Sequence, residues 1–393
     1  MKHKIYLLIA SLFLVVFSFS DLYSQKNRKM KKADQAFELE LYSEAIELYK
    51  KAYKKTKDKN LKAENIFKQA ECYRLSGKIL QASIYYERAV FMNYHDAIAI
   101  FNYAEVLRML GKYEKARDQY VDYIQKTLAE EKMSKEEIMK LASDDARHIK
   151  FIKGELGLRS CDFALKWKDL PTRYRVKSMP LLNSRYNDFS PTYGDADYSK
   201  LYFVSSREGD LSSKIDGRTG EYFSDIWFTT FNKERNMWSK PSLETPPINT
   251  TGNEGPIHLN NRGTIMYITQ CKFEKKKILG CGIYVSERSG RDWKESKLLQ
   301  LKVDSNTVGH PTLNKDETII IFSADLPNGY GGKDLWISRR GKRNTWSEPQ
   351  NLGHLVNTAG DELFPFILED DEGKITIYFA SNGHIGMGGL DIY

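Results

Sequence analysis

Two hydrophobic periods divide the chain. From residue 30 to about 125, apolar residues return every three or four positions, the spacing that gathers them on one face of a helix. After Leu158 aromatic and β-branched residues alternate with polar ones, and Gly, Asn, Asp and Pro interrupt every few positions. That pattern predicts short strands joined by turns. The expected fold class is α + β multidomain, with a helical part followed by an all-β part.

A longer period lies over the helical part. ECYRLSGKILQASIYYERAV (71–90) and EVLRMLGKYEKARDQYVDYI (105–124) superpose at an offset of 34, which pairs Ala70 with Ala104, Gly77 with Gly111, Ala82 with Ala116 and Tyr86 with Tyr120. In a third copy, LYSEAIELYKKAYK (41–54), Ala45 and Tyr49 fall 37 residues before Ala82 and Tyr86, so three residues are inserted in a turn. Alanines at a crossing let paired antiparallel helices approach, tyrosines fill the space beside them, and each pair needs the next to cover its apolar face. Residues 27–126 resemble tetratricopeptide repeats. Ser134 and Glu137 form a capping-box pattern that opens a closing helix over 133–155. The resemblance implies a peptide groove lined by Asp34, Glu71, Arg74, Glu105 and Arg108. Glu71/Arg74 and Glu105/Arg108 are equally i,i+3 ion pairs on a helix surface, and both readings stand at this stage.

The β part repeats as well. Four phrases open near Pro191, Pro256, Pro311 and Pro365, at spacings of 65, 55 and 54 residues, and each runs through a polar turn into an apolar strand. A second phrase follows each one: DIWFTT (225–230), GIYVSER (282–288), DLWISRR (334–340) and DIY (391–393). Trp238, Trp293 and Trp346 come after the first three. An inner strand, a second, a third and a tryptophan-bearing fourth make one antiparallel blade, and blades arranged radially make a β-propeller. The proline opening, FVSS or YFAS, and GGKDLW or GGLDIY resemble the WD40-like repeat of TolB-type propellers.

Taken together, the chain resembles the N-terminal part of OmpA-family envelope proteins of the Bacteroidetes type, a family with a member in type IX secretion. The resemblance implies a place in the periplasm, associated with the outer membrane. It implies envelope proteins as partners, through helical groove and propeller, and peptidoglycan only through a C-terminal module absent from these residues. The expected domains are a signal peptide (1–24), helical repeats with their closing helix (27–155), a linker (156–172) and about four propeller units (173–393). GMGGLDIY (386–393) repeats GYGGKDLWIS (329–338) and stops at the start of a third strand, so the fourth unit reads as truncated and the chain as a fragment.

The N-terminus supports export. Met1-Lys2-His3-Lys4 precedes an apolar run from Ile5 to Phe19, with small residues Ser20 and Ser24 beyond it. The run is shorter than the roughly 20 residues a membrane span needs, and no later segment is apolar enough to span. The net charge of +8 gathers in 26–32 and 50–59, spacings that suit the wet face of a helix; an exported chain rarely meets nucleic acid, and no nucleic-acid partner is expected. Outside the cytoplasm Cys271 and Cys281, which bracket a ten-residue excursion between strands, read as a disulfide. Cys72 and Cys161 read as buried.

Chemistry is sparse. The seven histidines are scattered, GxSxG is absent, and no spacing suggests zinc or calcium. The glycine runs at Gly331-Gly332 and Gly388-Gly389 lack a P-loop ending and are expected to supply positive φ in tight turns, with Asp334 and Asp391 bonding nearby amides. No cofactor, metal site or catalytic residue is expected. The rival readings are a hydrolase whose catalytic domain lies beyond residue 393, and a glycan-binding adhesin.

Overall fold

A computed structural model of the chain describes residues 28–170, 172–209, 214–274, 277–290, 292–301, 307–343 and 345–393. The expected signal segment 1–24 lies outside them. The chain divides into two compact units, one reaching to Val106 together with Gly217–Thr219, the other formed by Leu107–Asp216 and Gly220–Tyr393.

The first unit holds α1 (Arg28–Glu38), α2 (Tyr42–Tyr53), α3 (Lys59–Leu75), α4 (Ile79–Phe91) and most of α5 (Ile98–Met109), with α1 to α4 packed consecutively. Ala45, Tyr49 and Ala52 on α2 and Ala82, Tyr86 and Ala89 on α4 are fully buried, as the repeat requires. The turn after α3 is closed by Gly77 at φ +76°, with Lys78 N–H donating to Tyr73 C=O at 2.8 Å. Glu40, at φ +58°, makes the same turn after α1, with Leu41 N–H donating to Ala36 C=O at 2.9 Å.

In the second unit come α6 (Tyr113–Glu131), α7 (Lys135–Ile138) and α8 (Ala146–Trp167), making eight helices among the described residues. The expected capping box forms at Ser134 and Glu137, but its helix ends at Ile138 and α8 restarts behind Asp145, whose carboxylate accepts from Arg147 N–H. Residues 156–167, expected as linker, are the second half of α8. Ser160, Cys161 and Ala164 are buried there, and that packing keeps the segment helical. Gly157 lies so close to α6 that a Cβ would stand 2.2 Å from the Tyr120 ring.

Four antiparallel sheets follow. The first contains β1 (Asp188–Tyr193), β2 (Lys200–Ser205), β3 (Asp225–Asn232), β4 (Met237–Trp238) and β5 (Ser242–Leu243). The second contains β6 (Asn253–Leu259), β7 (Ile265–Glu274), β8 (Lys277–Ser289), β9 (Asp292–Trp293) and β10 (Lys297–Leu298). The third is β11 (Val308–Leu313), β12 (Ile319–Ala324), β13 (Asp334–Arg339) and β14 (Gln350–Asn351); the fourth is β15 (Glu362–Glu369), β16 (Ile375–Ser381) and β17 (Asp391–Ile392). Strand alternation sends successive side chains to opposite neighbours. Met266 and Ile268 of β7 join Tyr202 and Ile226 of the first sheet, whereas Tyr267 joins Ile320, Phe322 and Trp336 of the third. On the other face of the third sheet, Ile321 and Leu335 meet Ile367 and Phe379 of the fourth. Each such buried side chain contributes about 1.5–3 kcal/mol. The result is a β-propeller-like array of four blades, preceded by helices.

Candidate functional site

All four inner strands, β1, β6, β11 and β15, carry the same irregularity. Their register slips by one residue between Phe189 and Thr192, Glu254 and Ile257, Gly309 and Thr312, and Leu363 and Phe366. Each slip spans the repeat proline, which has no N–H to give the ladder and so belongs at a bulge. In three blades the residue before the proline holds positive φ without being glycine: Ser190 at 51°, His310 at 54° and Phe364 at 51°. Side chains of this size are rare in that region, and such outliers gather at functional sites.

The bulges turn these residues toward one central cavity of about 380 Å3. The prolines of all four blades line it, with Phe189, Phe364, Phe366, Tyr378 and Phe379 as the aromatic wall and His258 and His310 as the basic side chains. No Asp, Glu, Lys or Arg stands in its described lining. His310 stacks on the Phe364 ring at 4.4 Å, and its Nδ1 accepts from Phe364 N–H at 3.2 Å, which leaves the ring proton on Nε2 in the neutral form. Burial, helped by Lys333, lowers the His310 pKa to about 3; burial alone lowers His258 to about 4. The cavity is therefore electrically neutral at physiological pH. Thr269 ties two blades beside it, donating to Pro256 C=O at 3.0 Å and accepting from His310 N–H at 2.9 Å.

The helical candidates are largely engaged in holding helices together. Asp34 accepts from Tyr49 Oη at 2.7 Å, and Glu71 stands in the same relation to Tyr86, fifteen residues on. Glu71 also accepts from Asn102 Nδ2 at 2.6 Å and from Arg74 at 2.7 Å, while Arg74 Nε donates to Tyr86 Oη at 3.0 Å. Burial and these acidic partners raise the Tyr49 and Tyr86 hydroxyl pKa values well above normal. Arg108 is 3% exposed and donates to Gly388 C=O. Glu105 lies on α5 in the first unit. The structure thus brings Glu71 and Arg74 together, and places Asp34 and Arg108 in contacts of their own.

Cys271 and Cys281 are joined by a disulfide between β7 and β8, and Cys72 and Cys161 are buried thiols outside that disulfide. Asp334 accepts from Tyr330 N–H and Asn351 Nδ2, each at 2.7 Å, and Asp391 accepts from Gly388 N–H at 2.8 Å. The expected reason for the glycine runs needs correction: none of Gly331, Gly332, Gly388 and Gly389 has positive φ. Close packing requires glycine instead. A Cβ on Gly331 would stand 2.4 Å from the Thr358 carbonyl oxygen, one on Gly332 2.4 Å from Asp361 Oδ1, and one on Gly389 2.7 Å from Met109 Cε. Gly388 has no contact nearer than 3.5 Å.

Among the described residues no helix is long and apolar enough to cross a membrane, and no three His, Cys, Asp or Glu side chains gather as metal ligands. No protein-family model and no curated protein matches the chain. Solved structures resemble it in part. An α-L-arabinofuranosidase from Lactobacillus brevis is 10% identical over 52% of this chain and 68% of its own, with a TM-score of 0.35. An endo-arabinase from Bacteroides thetaiotaomicron is 12% identical over 56% and 78%, at 0.36. TolB from Acinetobacter baumannii is 12% identical over 54% and 55%, at 0.27. Scores this low carry no functional argument, and the propeller assignment stands on the strand pairing described above.

Proposed function

We propose that the chain is a non-catalytic scaffold of the periplasm, associated with the outer membrane and serving a secretion or envelope complex, with tetratricopeptide-like helices and a WD40-like propeller as its protein-binding parts. The neutral, proline-walled cavity at the hub of the four sheets is the observation that carries this reading. Glycoside hydrolysis commonly relies on two carboxyl groups flanking the scissile bond, whereas the described lining of this hub is proline, phenylalanine, tyrosine, serine, threonine, small aliphatic residues and neutral histidine, without a carboxylate. Such a surface suits apolar side chains of a partner protein, where aromatic residues supply much of the binding energy. Export rests on the basic-then-apolar pattern of Met1 to Phe19.

The test has two arms on the purified chain. Immobilised chain should retain specific proteins from detergent-solubilised envelopes, identified by mass spectrometry, and retention should fall when Phe366 is changed to Ala. The same chain should release no reducing sugar from arabinan. Absence of any retained protein, or turnover of the polysaccharide, overturns the proposal.

A further inference from the structure

The basic run over 50–59 does not lie along a helix face. α2 ends at Tyr53 and α3 begins at Lys59, so Lys54, Lys55 and Lys57 stand exposed in the turn between them, with Lys59 exposed beside them. The end of α4 reaches the same place. Its Arg88 lies over the Tyr53 ring at 5.9 Å, and Lys62 of α3 lies over that ring at 5.5 Å. Among the described residues of the first unit, ion pairs join Lys50 to Glu47, Arg74 to Glu71 and Arg218 to Glu40, and these six cations enter none. The nearby acids are engaged: Asp58 accepts from Leu61 N–H at 2.8 Å and Glu87 from Tyr103 Oη at 3.1 Å.

Beside these cations α4 carries an exposed apolar row. Leu80, Ile84 and Phe91, at i, i+4 and i+11, share its outer face and are 55%, 50% and 86% exposed. The repeat shows that the fold does not require carbon there. At the offset of 37 the same positions hold Ser43, Glu47 and Lys54, and at the offset of 34 they hold Glu114, Asp118 and Gln125. An exposed apolar row that the core does not use marks an interaction surface.

We propose that this end of the helical unit docks on an anionic phospholipid surface, the apolar row entering the interface and the cations meeting headgroup phosphates. The inference rests on the outer-membrane association proposed above and names the contact that provides it. Basic charge beside an exposed apolar helix face is the composition of an interfacial element. All of the cations but Arg88 are lysine, a flexible point charge, not the planar fork that grips one carboxylate in a fixed geometry. Phe91 protrudes, so a folded partner would have to offer it a matching pocket, whereas a lipid interface admits it anywhere. An acidic polypeptide would answer the lysines and leave the apolar row in water.

The probes are vesicles of phosphatidylethanolamine mixed with phosphatidylglycerol, vesicles of phosphatidylcholine alone, and polyglutamate as an acidic polypeptide. The chain without its expected signal segment (1–24) is tested by flotation. It should float with the anionic vesicles, far less with phosphatidylcholine, and about tenfold less as salt rises from about 0.1 to about 0.5 M. Lys55→Gln with Lys57→Gln should weaken vesicle binding about thirtyfold, or roughly fivefold for each cation. Lys240→Gln with Lys342→Gln removes the same charge from exposed positions in the second unit and should change binding by less than about twofold. Phe91→Ser, at a side chain the fold leaves in water, should weaken binding about tenfold with helical circular dichroism unchanged. Equal flotation with phosphatidylcholine, binding to polyglutamate as tight as to the anionic vesicles, equal losses from the two lysine pairs, or Phe91→Ser without effect overturns the inference. Envelope proteins retained by a chain that does not float leave the scaffold function standing; flotation without retained proteins does the reverse.

Discussion

Phe189 of the first sheet meets Phe364 of the fourth edge to face, with ring centroids 6.3 Å apart. The inner strands of the two sequence-distant sheets therefore converge on one hub, and the bulge at each proline aims the aromatic rings there. The remaining stability of that hub depends on bonds between neighbouring blades.

Thr269 carries one of those bonds, accepting from His310 N–H of the third sheet, and a second within its own sheet, to Pro256 C=O. Thr269→Val preserves shape but removes the donor to Pro256 and leaves His310 N–H without its acceptor, which should destabilise the second unit by about 1–3 kcal/mol. Thr269→Ser keeps both bonds and should lose less. Urea unfolding midpoints of the two variants check this.

The pH dependence has two limbs. His258 and His310 have lowered folded-state pKa values, about 4 and about 3, so the unfolded chain binds more protons below its usual histidine range; stability should rise as pH climbs from about 3 to about 6.5. Glu254 is raised to about 8, so its contribution is complete below the ordinary glutamate pKa and is lost as pH rises through 8. Asp225, raised by burial to about 6, adds to that decline. Glu254→Gln should flatten the alkaline limb and leave the acid limb in place, as denaturation at several pH values would reveal.

Two glycines of the same repeat phrase should respond differently. Gly331→Ala drives a methyl group into backbone atoms at Thr358 and Ala359, which should destabilise by about 1–3 kcal/mol. Gly388→Ala has room and no positive φ, so its effect should stay within about 0.5 kcal/mol. Equal losses would mean that turn conformation, not packing, decides.

Glu71 is the acceptor on which Arg74, Tyr86 and Asn102 converge. Glu71→Ala should destabilise the helical unit by about 2–4 kcal/mol, because three donors lose their partner at once. Thermal unfolding followed by helical circular dichroism measures it.

Much of the architecture is legible because it is periodic. The 34-residue spacing of Ala82 and Ala116, and the recurrence of Pro191, Pro256, Pro311 and Pro365, are properties of the string itself. What is not legible depends on neighbours remote in sequence. Glu40 takes the left-handed turn that glycine takes in the other repeats, so the motif is hidden by a residue ill suited to it. The glycines near Asp334 and Asp391 show in the sequence, but their reason is an approach to Thr358, Asp361 and Met109 that only tertiary structure creates. Glu254 reads as one more surface acid until three sheets close around it. The positive φ of His310 and Phe364 likewise follows from bulge register, which local propensity does not encode.

The most direct test of the account places a photo-crosslinking p-benzoylphenylalanine at Phe366, on the wall of the central cavity, and irradiates the chain in intact envelopes. The account predicts a covalent adduct with a polypeptide, mapped by mass spectrometry to an apolar uncharged segment. The same substitution at Tyr330, outside the cavity lining, should not form that adduct. A Phe366 adduct with glycan, or polypeptide adducts equally strong from both positions, would contradict it.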